Sequence, residues 1–104
     1  MIVEQRDYHV YTGKLSQLVG LYETEGIEIQ LRILGRLIGA FTTDIGKLSI
    51  YSHIWAYDSF DDREQRRAAL ATDEAWKVFL PKIQPLIHTQ ENRILLPTSF
   101  SPLR

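Results

Sequence analysis

Residues 51–57, Tyr-Ser-His-Ile-Trp-Ala-Tyr, carry aromatic and imidazole side chains at alternate positions. Strand side chains project to opposite faces with period two, so a strand here places Tyr51, His53, Trp55 and Tyr57 on one face. That row can wall a small pocket, with His53 as a base or polar anchor. It can equally be core containing one hydrogen-bonded histidine. Just downstream, Phe60, Arg63, Arg67 and Leu70 fall on a single helical stripe, which sets two guanidiniums four residues apart on or beside an apolar face. They repel each other, and a bound carboxylate or phosphate, or an acid from a sheet, would relieve the repulsion. In the ligand-free alternative their stems cover apolar surface and their heads reach water or an ion-pair partner. Arg6 and Tyr8 near one terminus and Asn92 near the other join the same face if strand register brings them there.

The acids between these groups have a simpler reading. Ser59 followed by Asp61 and Asp62 is a helix start, in which the hydroxyl satisfies a free backbone N–H and the acids complement the helix dipole. Asp62 and Arg66, four apart in acid-before-base order, form a surface pair worth a few tenths of a kcal/mol.

The elements that must position these residues follow from periodicity. Residues 2–11 read as a strand ended by Thr12-Gly13. From Lys14, apolar residues at helical spacing predict a long helix, interrupted near Gly26 and stopped by Gly35. Residues 36–46 and 48–58 read as two strands joined by a turn at Asp44-Ile45-Gly46. A second helix starts after Ser59, is re-capped near Thr72-Asp73 and stops at Pro81, and residues 88–97 form the last strand. Strand, helix, strand, strand, helix, strand is the ferredoxin-like βαββαβ order, an α+β fold with a four-stranded antiparallel sheet and two helices on one face. The other side of the 51–57 strand, Ile50, Ser52, Ile54 and Ala56, then needs a cover. A homodimer closing sheet on sheet into an α/β barrel provides it.

With 104 residues the chain is expected to form one domain, 1–104. A net charge of -1 excludes the basic surface of a nucleic-acid binder. The absence of cysteine excludes disulfides and thiolate chemistry. His9, His53 and His88 show no metal-ligand spacing, so no metal is expected. Gly35 and Gly39 lack the Lys-Ser/Thr of a phosphate loop, and no Gly-x-Ser-x-Gly elbow occurs. No membrane span or signal peptide is read in the chain, and a cytoplasmic protein is expected.

The run GRLIGAFTTDIGKLSIYSHIWAYDSFDDREQRRAAL, the following W and FLPKI, and QENRILLPTSFSPL together resemble the NIPSNAP family of the dimeric α/β-barrel superfamily, over nearly the whole chain. The resemblance implies a ferredoxin-like protomer that dimerises through its sheet. It implies no settled enzymatic activity, although superfamily relatives include cofactor-independent monooxygenases and haem-binding proteins. The family pattern maps onto Arg6, Tyr8, His53, Trp55, Tyr57, Arg63, Arg67, Glu91, Asn92 and Arg93. The chain departs from it at Glu28 and Lys47, where proline is usual, and it holds one copy of a domain that many relatives carry twice.

The leading expectation is a homodimer binding a small aromatic or anionic molecule between sheet and helices. Arg6, Tyr8, His53, Trp55 and Asn92 would line the site, with Arg63 or Arg67 anchoring an anion. One rival is a cofactor-independent oxygenase or isomerase with His53 as base and Asn92 or Tyr8 steadying an oxyanion. The other is an interaction module whose interior is filled by its own side chains. No cofactor is expected, since one strand histidine is a thin basis for haem ligation.

Overall fold

The computed structural model describes all residues, Met1–Arg104. Four strands, β1 (Ile2–Val10), β2 (Arg36–Thr42), β3 (Ile50–Tyr57) and β4 (Ile87–Leu95), form one antiparallel sheet in the order β2-β3-β1-β4. With the helices between them this is the ferredoxin-like arrangement expected from the element order. The sheet is open, with β2 and β4 at its edges.

Directly opposed residues of antiparallel strands share a face, so the register converts alternation along each strand into rows across the sheet. Three rows face the helices: Leu37–Trp55–Glu4–Ile94, Ala40–His53–Arg6–Asn92 and Thr42–Tyr51–Tyr8–Gln90. On β1 this face is buried from Ile2 through Glu4, Arg6 and Tyr8 to Val10. Against it pack Leu18, Tyr22, Leu70, Trp76, Phe79 and Ile83, which together with Tyr51 and Trp55 make the apolar core.

The first helical region does not break near Gly26. It runs as α1 (Leu15–Leu21), a wider π-helical turn (Tyr22–Gly26) and α2 (Ile27–Ile33) without leaving helical backbone angles. Its buried positions explain the π turn. Leu18, Tyr22, Gly26, Gln30 and Leu34 are buried at a strict spacing of four. In a uniform α-helix each four-residue step drifts about 40° around the axis. The extra residue taken up by a π turn cancels much of that drift and keeps the stripe on the sheet. Gly26 lets the Phe79 ring pack directly on the helix backbone, where a Cβ would clash with Cζ of that ring. Glu28, exposed in the first turn of α2, continues the helix. Gly35 ends it at φ +89, a left-handed position that an L side chain adopts only with strain.

The second helical region behaves as its caps dictate. Ser59 Oγ accepts from Asp62 N–H at 3.0 Å, and Asp62 Oδ2 accepts from Asp58 N–H at 3.0 Å, starting α3 (Phe60–Thr72). Asp73 then turns to extended geometry and accepts from Trp76 N–H at 3.0 Å, starting α4 (Glu74–Ile83). Two expectations are corrected here. The helix continues through Pro81 to Ile83, because Pro81 and the Lys77 whose carbonyl it leaves unpaired are both exposed. Phe60, expected on the buried stripe, is 57% exposed, because it is the first residue of α3 and projects beyond the sheet-facing side.

No helix covers the other face of the sheet. Ile50, Ser52 and Ile54 are half-buried there and Ala56 is buried. The small aliphatic set on β3 is therefore present, but β1 adds polar groups: Ser52 Oγ donates to Asp7 Oδ1 at 2.6 Å and Gln5 Nε2 donates to the same oxygen at 3.2 Å. None of the helices is long and apolar enough to cross a membrane.

The Gly26–Phe79 approach gives a test of this packing. Gly26→Ala is expected to destabilise the protein by about 1–3 kcal/mol through overpacking, and Phe79→Leu in the same background is expected to restore part of the loss. Urea denaturation of the three variants measures both.

Candidate functional site

At the centre of the helix-facing layer is a carboxylate that is fully buried. Glu4, near the start of β1, accepts four N–H groups: Arg63 Nε on Oε1 at 3.1 Å, and Arg63 NH2 at 2.9 Å, Arg6 NH1 at 3.1 Å and Asn92 Nδ2 at 3.3 Å on Oε2. Burial by itself would raise its pKa. The hydrogen bond from Arg63 and the charges of Arg6, Arg63 and Arg67 outweigh burial and hold the carboxyl below its ordinary value. Arg63 reaches it from α3, Arg6 from two residues along the same face of β1, and Asn92 from β4.

One row over, His53 is also fully buried. Its Nδ1 accepts the indole N–H of Trp55 at 2.9 Å, so in the neutral ring the proton sits on Nε2. Nε2 is buried and has no partner. Tyr51 stacks on the imidazole at 5.0 Å and Tyr8 meets it edge-on at 4.9 Å. Burial, reinforced by the charges of Arg6 and Arg67, pushes the histidine pKa down to about 3. At neutral pH the ring is an uncharged donor and a weak base. Its one lone pair is committed to Trp55, which argues against the role of general base.

Between this layer and α4 lies a cavity of about 330 Å³. Its polar lining is Arg6, Tyr8, Arg67, Lys77, Gln84 and Gln90, and its apolar wall includes Leu70, Trp76, Leu80, Ile83 and Ile87. Arg67 differs from the other two arginines of the layer. Its NH1 is buried beside the Tyr57 hydroxyl, which it favours in the ionised form without a hydrogen bond of ordinary geometry, and Arg67 makes no ion pair with a carboxylate. A second cavity, of about 380 Å³ and mostly apolar, lies beyond Tyr51 and Tyr22 under β2.

The structure therefore divides the expected residues into three groups. Arg6, Tyr8 and Arg67 meet at the first cavity. His53 and Trp55 form a hydrogen-bonded pair in the layer beside it. Arg63 and Asn92 are engaged by Glu4, which answers the question of what relieves the arginine repulsion: an acid from the sheet. Asp62 pairs with Arg66 Nε at 2.9 Å, and Arg66 NH1 donates to the Ile33 carbonyl at the end of α2, in keeping with a structural role. On β4, Glu91 and Arg93 lie opposite Asp7 and Gln5, on the face away from the helices. Glu4, Gln90 and the wall from α4 were not singled out from the sequence. Glu4 had a signal, since it lies two residues before Arg6 and so on the same face of a strand.

A family model described as NIPSNAP matches residues 3–102. The chain belongs to the NIPSNAP family. A NIPSNAP family protein from Agrobacterium tumefaciens, known from a crystal structure, is 54% identical and superposes with a TM-score of 0.97 over 99% of this chain and 98% of that one. NipSnap homolog 2 of Mus musculus is 32% identical over 103 residues, 99% of this chain and 36% of that protein. NipSnap homolog 1 of Danio rerio is 40% identical over 67 residues, 64% of this chain and 24% of that protein. The NIPSNAP domain described here thus spans about a third or less of these curated relatives. An antibiotic biosynthesis monooxygenase superposes with a TM-score of 0.64 at 10% identity, a likeness of fold alone.

Two measurements check the electrostatics of the layer. Glu4→Gln leaves Arg6 and Arg63 without their carboxylate and is expected to cost about 3 kcal/mol in denaturant unfolding at neutral pH. His53, whose folded pKa lies below its unfolded value of 6.5, favours folding fully above pH 6.5. As pH falls from 6.5 towards 3 the unfolded chain takes up a proton that the folded one refuses, so stability drops. Between pH 7 and 5 the expected loss from this group is about 2 kcal/mol. His53→Gln, which retains an acceptor for Trp55, is expected to flatten that slope.

Proposed function

We propose that this NIPSNAP protein is a homodimer that binds a small aromatic or anionic molecule in the cavity between β1, β4 and α4. The observation that carries this reading is Arg67, a charged side chain that lines the cavity and makes no ion pair with any carboxylate of the chain. A guanidinium that borders an open volume and has no carboxylate partner within the chain leaves a place for an external acceptor. The apolar wall around Leu70, Trp76 and Ile83 and the few convergent polar groups fit the make-up of a ligand site. A void of this size also favours binding over an interior filled by side chains. The enzymatic alternative has less support, since His53 has no lone pair free to serve as a base.

The dimer is supported by the uncovered sheet face. Ile50, Ile54 and Ala56 lie on it, and Phe41 at its β2 edge and Leu95 on β4 are substantially exposed. Two such faces packed together would complete an α/β barrel, with the Gln5–Asp7–Ser52 cluster of each protomer inside the joint.

Native mass spectrometry on protein purified from its own host tests both parts. The expected spectrum is a dimer carrying an added small mass, and Ile54→Asp is expected to convert the dimer to monomer. A wild-type monomer would sink the barrel, and a mass-free dimer that takes up no small aromatic or anionic compound on titration would sink the binding reading.

A further inference from the structure

The charge inventory around the cavity narrows the ligand to one chemical class. The lining holds Arg6, Arg67 and Lys77 and no carboxylate. The nearest acid, Glu4, already accepts four N–H groups, one on Oε1 and three on Oε2, none of them from Arg67. Arg63 is consumed by that carboxylate, and Arg6 is shared between it and the Tyr8 hydroxyl at 3.3 Å. One guanidinium, Arg67, is left without an ion pair of its own, and it borders a void whose remaining wall is mainly apolar.

Resting on the binding reading above, we infer that the cavity takes a small monocarboxylate with an apolar body of about one ring, its carboxylate on Arg67 and its body along Leu70, Trp76 and Ile83. Each part of that description has its own reason. A cation meets three positive side chains and no carboxylate in the lining. A neutral amide can hydrogen-bond to the lining but brings no charge to Arg67. A phosphate dianion brings a second charge that only the already shared Arg6 or Lys77 could meet, and Lys77 is exposed and within 3.4 Å of Glu74. A planar carboxylate matches the planar guanidinium and can accept two parallel N–H bonds. The volume, near the lower end of the roughly 300–1,000 Å³ of small-molecule sites, sets the size of the body.

The test is calorimetric titration of the full chain with 3-phenylpropionate, 3-phenylpropionamide and phenyl phosphate, alongside thermal unfolding of each variant. The carboxylate is expected to bind about tenfold or more tighter than the amide, a difference of about 1.4 kcal/mol or more. Arg67→Met is expected to erase that preference by weakening carboxylate binding far more than amide binding, and Arg67→Lys to keep part of it. Without ligand, Arg67→Met is expected to unfold at a temperature no lower than wild type, because it removes an uncompensated charge, whereas loss of a structural ion pair would lower it. Should Arg67→Met fail to fold, that in itself would mark Arg67 as structural and overturn the assignment, and Arg67→Lys would still report the preference. Equal affinity for carboxylate and amide would overturn the carboxylate head while leaving a binding cavity. Tighter binding of phenyl phosphate would overturn the single charge. If none of the three binds, both this inference and the binding reading fall.

Discussion

The layer between sheet and helices is organised around one buried charge. An isolated carboxylate in such a place would protonate or unfold the chain, so Glu4 can exist there only with its donors assembled. Those donors come from different elements, and the carboxylate thereby fixes where α3 lies on the sheet and how the side chains of β4 meet β1. Apolar packing around Trp55 and Phe79 supplies the bulk of the driving force for folding but is tolerant of small displacements. A bidentate arginine–carboxylate pair is not, and it sets the separation of α3 from the sheet. The cavity exists because this separation is held on one side while α4 closes the other.

The same pairing separates arginines that look alike in sequence. Arg63 and Arg67 are four residues apart on one helix, yet one is locked to Glu4 and the other faces a void. The difference is a matter of one helical turn, about 5.4 Å along the axis, which leaves Arg67 without a hydrogen bond to the carboxylate. His53 is affected as well. Arg6 and Arg67 add to its burial in keeping the imidazole neutral, so the interior holds its positive charge on arginine alone across the physiological range.

Much of this fold was legible in the sequence. Alternation along 51–57 identified the inward face, Ser59 and Asp73 announced their helix starts, and Gly35 its helix end, because each of these signals depends on a residue and its close neighbours. Family membership was legible from the order and spacing of short segments. The site was legible only in part. Arg6, Tyr8 and Arg67 were singled out, but their division of labour depends on which acid from 59 residues away takes which arginine, and on a register that pairs Arg6 with His53 and Asn92. Local pattern also failed where context overrides propensity. Pro81 is tolerated because its unpaired carbonyl lies on the exposed side of α4, and the supposed break at Gly26 is a change of winding.

That change of winding separates phase from length. A helix that met the sheet with uniform α geometry from Leu18 to Leu34 would present progressively different faces along its path, and its far end would address solvent with residues that here address the core. The π turn resets the count midway, so one continuous rod serves two registers: the half before Tyr22 is indexed to the β3 end near Tyr51, the half after Gly26 to the α3 side and Arg66. A single-residue deletion within 22–26 would leave the rod straight and nearly as long, but would turn Gln30 and Leu34 out of step with everything they touch. The segment is therefore a place where the chain can ill lose one residue, even though its middle residues, Glu23 and Thr24, are exposed.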